Sequence, residues 1–123
     1  MEKTIEKTLS YTRLTVQIAS LGKDYQILLS GGDCPHIGCT VLAVPRPSLQ
    51  SGNREMSSTA SVINVTGHKD EQLCRYLAER IAAGTQAVTV CTGGFHMEHI
   101  TKPQIAEVLE AVKEIAGEIL AAV

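Results

Sequence analysis

The chain has 123 residues, 44% of them apolar and 20% charged, with 11 Lys plus Arg against 13 Asp plus Glu and a formal net charge of -2. That describes a single domain over residues 1–123, able to bury a core without disulfides and too apolar for disorder. The near-neutral charge and the four aromatics Tyr11, Tyr25, Tyr76 and Phe95 argue against a nucleic-acid partner. No apolar run approaches the roughly 18 residues of a membrane span, and the opening MEKTIEKTLS lacks the apolar core of a signal peptide, so the chain reads as cytoplasmic with no membrane partner. Cys34, Cys39, Cys74 and Cys91 are then expected to be reduced, with Cys74 and Cys91 fitting core positions.

In chain order, Arg13 to Ala19 alternates strictly, with Leu14, Val16 and Ile18 on one face and Arg13, Thr15 and Gln17 on the other. This is the pattern of a strand with one solvated face. Tyr25 to Ser30, Cys39 to Val44, Ser58 to Thr66 and Ala87 to Thr92 carry bulky or β-branched residues at strand spacing, and Leu21-Gly22-Lys23-Asp24 is short enough to close a hairpin. Pro45 to Met56 has no periodicity and reads as a mobile surface loop. Asp70 to Ala83 gathers Leu73, Cys74, Leu77, Ala78 and Ile81 on one helical face, with Gly84 as the expected C-terminal cap. A second helix, Lys102 to Leu120, keeps its apolar residues within an arc of roughly 140°. Thr101 and Gln104 stand at capping-box spacing, and Pro103 falls in the first turn.

The expected fold is therefore α/β, a single mixed five-stranded sheet made of an antiparallel meander plus one parallel crossover, with two helices on one face. Strand direction then brings three loops to one edge: Gly31 to Gly38 (GGDCPHIG), Gly67 to Lys69 (GHK) and Gly93 to His99 (GGFHMEH). They hold all four histidines, and ligands bind beyond the carboxyl ends of parallel strands. Glycine pairs let a ligand approach the main chain, and a helix opening at Thr66-Gly67-His68-Lys69 would be a ready anion site with Lys69 beside it. Each feature also has a plain reading: a Gly-Gly turn, a buried His36, a solvated His68, Asp33 as a turn former or Lys69 as surface charge. Cys34-x-His36-x-x-Cys39 and His96-x-x-His99 offer metal donors at spacings that match neither a zinc ribbon nor a helical H-E-x-x-H site. Cys34 beside His36 lacks an orienting third group, and neither a Walker loop nor a dinucleotide fingerprint is present.

Gly32-Asp33-Cys34-Pro35-His36-Ile37-Gly38, Gly67-His68-Lys69-Asp70 and Gly94-Phe95-His96-Met97-Glu98-His99-Ile100-Thr101 together resemble the LpdD-like proteins that accompany UbiD-type decarboxylases of hydroxylated aromatic acids. The resemblance spans nearly the whole chain. It implies a homodimer with a proteasome-assembly-chaperone-like fold, and a non-catalytic role: binding reduced prenylated FMN and delivering it to an apo-decarboxylase. It rests on Pro35, His36, Ile37, Gly38, His68, Lys69 and His96, and is not carried by Cys34, Cys39 or His99. The cofactor-binding set so implied is Gly32, Asp33, His36, Gly38, Gly67, His68, Lys69, Gly94 and His96. The alternative is a small metal-dependent enzyme in which His36, His68, His96 and His99 hold a divalent ion that activates water. A homodimer would also cover apolar residues left on the sheet face away from the helices, Leu28, Val41, Ala43 or their alternates.

Overall fold

A computed structural model describes residues 1–49, 55–65 and 71–123. Six strands, β1 (Glu2–Thr8), β2 (Arg13–Leu21), β3 (Asp24–Gly32), β4 (Cys39–Pro47), β5 (Met56–Asn64) and β6 (Thr89–His96), form one mixed sheet. Two helices, α1 (Glu71–Thr85) and α2 (Lys102–Ala122), follow β5 and β6. The strand order is β1-β2-β3-β6-β4-β5.

This corrects the expected sheet in two ways. There are six strands rather than five, because β1 adds an antiparallel edge strand beside β2. Its sequence, EKTIEKT, buries only Ile5, so charge rather than apolar alternation dominates the pattern. Such charge suits an exposed edge, where it opposes further strand pairing. Nor is there a meander: β6 inserts between β3 and β4, parallel to β3 and antiparallel to β4. The crossover from β5 through α1 thus passes over β4 to reach β6. The strand directions are unaffected, and β3, β5 and β6 all run the same way.

Period-two alternation divides the sheet into two faces. Leu14, Val16, Ile18, Ile27, Leu29, Val41, Ala43 and Cys91 are buried against the helices. α1 packs across β4, β5 and β6, while α2 lies against α1 and reaches β2. The other face is open, with Leu28 44% exposed, Leu42 43% and Val44 45%. Of the apolar residues expected there, Leu28 is on the open face, whereas Val41 and Ala43 face the helices and their alternates Leu42 and Val44 face out.

Local boundaries shift where tertiary pairing extends an element. Pro45-Arg46-Pro47 continues β4 by pairing with Ser58, Ser57 and Met56, although it reads as loop. Pairing of β4 with β6 ends at Ala43, so these prolines need supply no N–H on that side. Residues 50–54 of the expected loop lie outside the described residues. Gly84 is inside α1 rather than capping it, and faces Leu120 of α2, which a Cβ would meet at 2.5 Å. Gln86, at φ 56°, takes the left-handed position after the helix. At α2 the capping box forms as the spacing predicts: Gln104 N–H donates to Thr101 Oγ1 at 3.3 Å, and Thr101 N–H to Gln104 Oε1 at 2.9 Å. Cys39, Cys74 and Cys91 are buried and Cys34 is exposed. Among the described residues, no helix is long and apolar enough to cross a membrane.

Candidate functional site

Because β6 lies directly beside β3, the chain segments that follow them are in contact. Gly32 pairs with His96 at the end of the parallel ladder, and Asp33 N–H donates to the His96 carbonyl at 2.8 Å. Asp33 Oδ2 then accepts from Glu98 N–H at 3.1 Å. Asp33 thereby ties the first glycine-rich loop to the third. Gly32 has φ +85°, and a Cβ there would collide with the His96 carbonyl oxygen. The position therefore has to be glycine, and the backbone there stays bare.

The segment after Asp33 folds back over the sheet. His36 Nδ1 is 2.9 Å from the Cys34 carbonyl, Gly38 N–H donates to the Gly93 carbonyl at 2.9 Å, and Val65 N–H donates to the Gly38 carbonyl at 2.8 Å. This seats the His36 ring over Gly94: a Cβ on Gly94 would lie 2.7 Å from His36 Nε2 and 2.8 Å from Cε1. The glycine is what allows the imidazole this close to β6. The rings of His36 and His96 meet edge to face, with centroids 6.3 Å apart and planes at 82°. Gly93 and Gly94, like Gly31 and Gly32, belong to strands, which corrects the expectation that they open the edge loops.

The remaining candidates separate. Glu98 carries a carboxylate 3.9 Å from His96 Nε2 and 3.8 Å from His99 Nε2, but the His99 side chain is 95% exposed and its backbone is at φ 54°. Among the described residues, no three His, Cys, Asp or Glu side chains are grouped so as to hold a metal ion. Gly67, His68 and Lys69, which the sequence places at a helix start, lie outside the described residues. The described part of that helix begins at Glu71, whose carboxylate accepts from Asn64 Nδ2 at 2.8 Å and pairs with Arg75 at 3.3 Å.

Arg13 is a residue at this edge that motif reading passes over. Leu14 pairs with Gly31, so Arg13, one residue earlier on β2, is level with Gly32 and hence with His96 on β6. Alternation with the buried Leu14 puts its side chain on the open face, where it is exposed. Its sequence signal is only its membership of the polar set in the alternating strand. The Leu9–Thr12 turn before it is docked on α2: Glu107 accepts from Ser10 N–H and Ser10 Oγ–H, both at 2.6 Å, and Tyr11 Oη–H donates to the Gln104 carbonyl at 2.7 Å. The two Ser10 bonds hold the Glu107 carboxyl below its usual range, and burial pushes the Tyr11 phenol up. Tyr11 also stacks edge-on against Phe95, with centroids 6.4 Å apart, just before His96. Beyond the turn's other flank, Lys7 pairs with Glu118 at 2.9 Å, a bond that raises its pKa.

The description "Prenylated flavin chaperone LpdD-like domain" fits residues 8–123 of the chain. The chain belongs to the LpdD-like prenylated flavin chaperone family. A comparison with curated proteins returns no match. Among solved structures, a subunit from the "Crystal Structure of a Novel Chaperone Complex for Yeast 20S Proteasome Assembly" is similar in fold, with a TM-score of 0.51 and 20% identity over 96% of this chain and 94% of that one. The mixed sheet with two helices is thus of proteasome-assembly-chaperone type.

The described edge suits a planar heteroaromatic ligand. Neutral imidazole donates at one nitrogen and accepts at the other, which matches the mixed carbonyl and N–H periphery of a flavin ring. At Gly32 the main chain of β3 lies without a side chain beside His96, its missing Cβ position being taken by the His96 carbonyl.

Proposed function

We propose that this family member binds reduced prenylated FMN as cargo and hands it to an apo-decarboxylase of UbiD type, turning over nothing itself. The observation that carries the reading is the His36 ring seated on Gly94 and facing His96 at 6.3 Å, at one end of an otherwise open sheet face. His36 and His96 hold the polar rim of the flavin ring, with Gly32, Asp33, Gly38 and Gly94 shaping the backbone around it. Gly67, His68 and Lys69 are the further cofactor contacts that the family resemblance implies. In this reading the protein is a homodimer whose second copy covers Leu28, Leu42 and Val44, leaving the histidine end at the rim.

The test mixes apo-decarboxylase with reduced prenylated FMN under anaerobic conditions, with and without this protein, and with its His36→Ala/His96→Ala variant. The wild-type chain should accelerate activation and co-elute with the flavin, and the folded double variant should do neither. Identical activation in all three arms, with no flavin retained, would sink the reading.

A further inference from the structure

We propose that Arg13 binds the phosphate of the flavin-type ligand whose ring system rests against His36 and His96. The inference builds on the function proposed above and names a residue that the glycine and histidine motifs do not point to.

Three observations carry it. The first is register: Arg13, Gly32 and His96 stand side by side on β2, β3 and β6. Two strand spacings separate the guanidinium's strand from the histidine's, about 10 Å at ~4.8 Å each. The second is the floor between them. Gly32 has no side chain and cannot acquire one without striking the His96 carbonyl, and the next open-face residue on β3 is the small Ser30, paired with Gly94. Between Arg13 and His96 the open face thus carries only the Gly32 main chain and, one pleat back, the small Ser30, so no large side chain stands between the two and one ligand can touch both ends.

The third is electrostatic. Among the described residues the Arg13 guanidinium makes no hydrogen bond and no ion pair, so its fork of donors is available to a bidentate anion. The rival anion site, the start of α1, already carries the Glu71 carboxylate in its first turn. An acidic side chain there takes up the favourable end of the helix dipole and repels a second anion. Arg13 is also held in position: the turn before it is fastened to α2 through Ser10 and Tyr11, so ordering it on binding costs little backbone freedom.

The experiment titrates reduced FMN and reduced riboflavin anaerobically into wild type, Arg13→Ala, Arg13→Lys and Lys69→Ala, by calorimetry. Wild type should favour FMN by roughly tenfold or more, the scale of one charge-assisted contact at an exposed site. Arg13→Ala should abolish that preference and leave riboflavin affinity within about twofold, Arg13→Lys should keep part of it, and Lys69→Ala should keep most. Added salt should erode the FMN preference alone. A preference that survives Arg13→Ala overturns the proposal, as does wild-type protein that binds both flavins equally. A parallel arm follows the Arg13 Nε–H and Gly32 amide signals by NMR while inorganic phosphate is added. If neither flavin binds yet phosphate shifts both signals, the anion site stands and the flavin reading falls. If there is no response to flavin or phosphate, both are refuted.

Discussion

Replacing Gly94 by alanine tests whether the His36 ring is really seated on β6. The new Cβ would sit 2.7 Å from His36 Nε2, 2.8 Å from Cε1 and 2.9 Å from the His36 carbonyl oxygen. Ordinary carbon contacts begin near 3.5 Å, so ring and carbonyl must both retreat by roughly 0.6 to 0.8 Å. Overpacking of this kind costs about 1–3 kcal/mol, while losing a glycine from the unfolded chain offsets about 0.4–1 kcal/mol. Gly94→Ala should therefore destabilise by about 1–2 kcal/mol. The discriminating measurement is a double-mutant cycle in urea. With His36→Ala as background the two ring contacts vanish and only the carbonyl contact remains. Gly94→Ala should then cost only the share due to that carbonyl, giving a coupling of about 0.5–1 kcal/mol. In the single variant the His36 ring signals should also move away from those of His96 by NMR. Additive costs with unmoved ring signals would show that His36 does not lie over Gly94, and the site geometry would have to be abandoned.

Two further expectations concern the elements around the site. Glu107 has a lowered carboxyl pKa because Ser10 donates to it twice, so its contribution to docking the β1–β2 turn is present above the ordinary carboxylate value of about 4.3 and is lost as pH falls through the lowered folded value. The protection factor at the Ser10 amide, corrected for the intrinsic slowing of exchange in acid, should fall on acidification in the wild type, and Glu107→Gln should flatten that profile; an unchanged profile in the variant would assign the effect elsewhere. Leu42→Glu puts a charge into the open-face patch of Leu28, Leu42 and Val44, and by twofold symmetry puts it there twice. Light scattering across micromolar concentrations should show a dimer for wild type and at least a tenfold shift toward monomer for the variant, while a wild-type monomer at every concentration removes the interface.

Where local chemistry decides structure, the sequence was a sufficient guide. Thr101 and Gln104 mark the start of α2 because capping needs only residues three apart, and Leu14, Val16 and Ile18 mark a half-buried strand because alternation is intrinsic to the pleat. Elements whose stability comes from partners were not legible in the same way. EKTIEKT pairs with β2 through main-chain bonds that its side chains do not advertise. Gly93 and Gly94 look like a loop because glycine disfavours strands, yet β3 pairs with both and β4 with Gly93, which holds them in β6. The left-handed cap fell to Gln86 rather than Gly84 because Gly84 was needed where α1 approaches Leu120.

The same distinction explains the site. That β3, β5 and β6 end at one edge follows from direction alone, and direction survives an error in which strands are neighbours. Closeness does not. In a meander, β3 and β6 would be separated by two strands, and the first and third glycine segments could share an edge without touching. The insertion of β6 beside β3 makes Asp33 a hydrogen-bond partner of the His96 backbone, brings His36 over Gly94, and lines up Arg13 with both. A crossover that skips β4 is a choice made by packing, with α1 spanning β4, β5 and β6, rather than by any local motif. The histidines could therefore be recognised as a group from spacing and topology, whereas Arg13, which has no motif of its own, becomes part of that group only through the order of the strands.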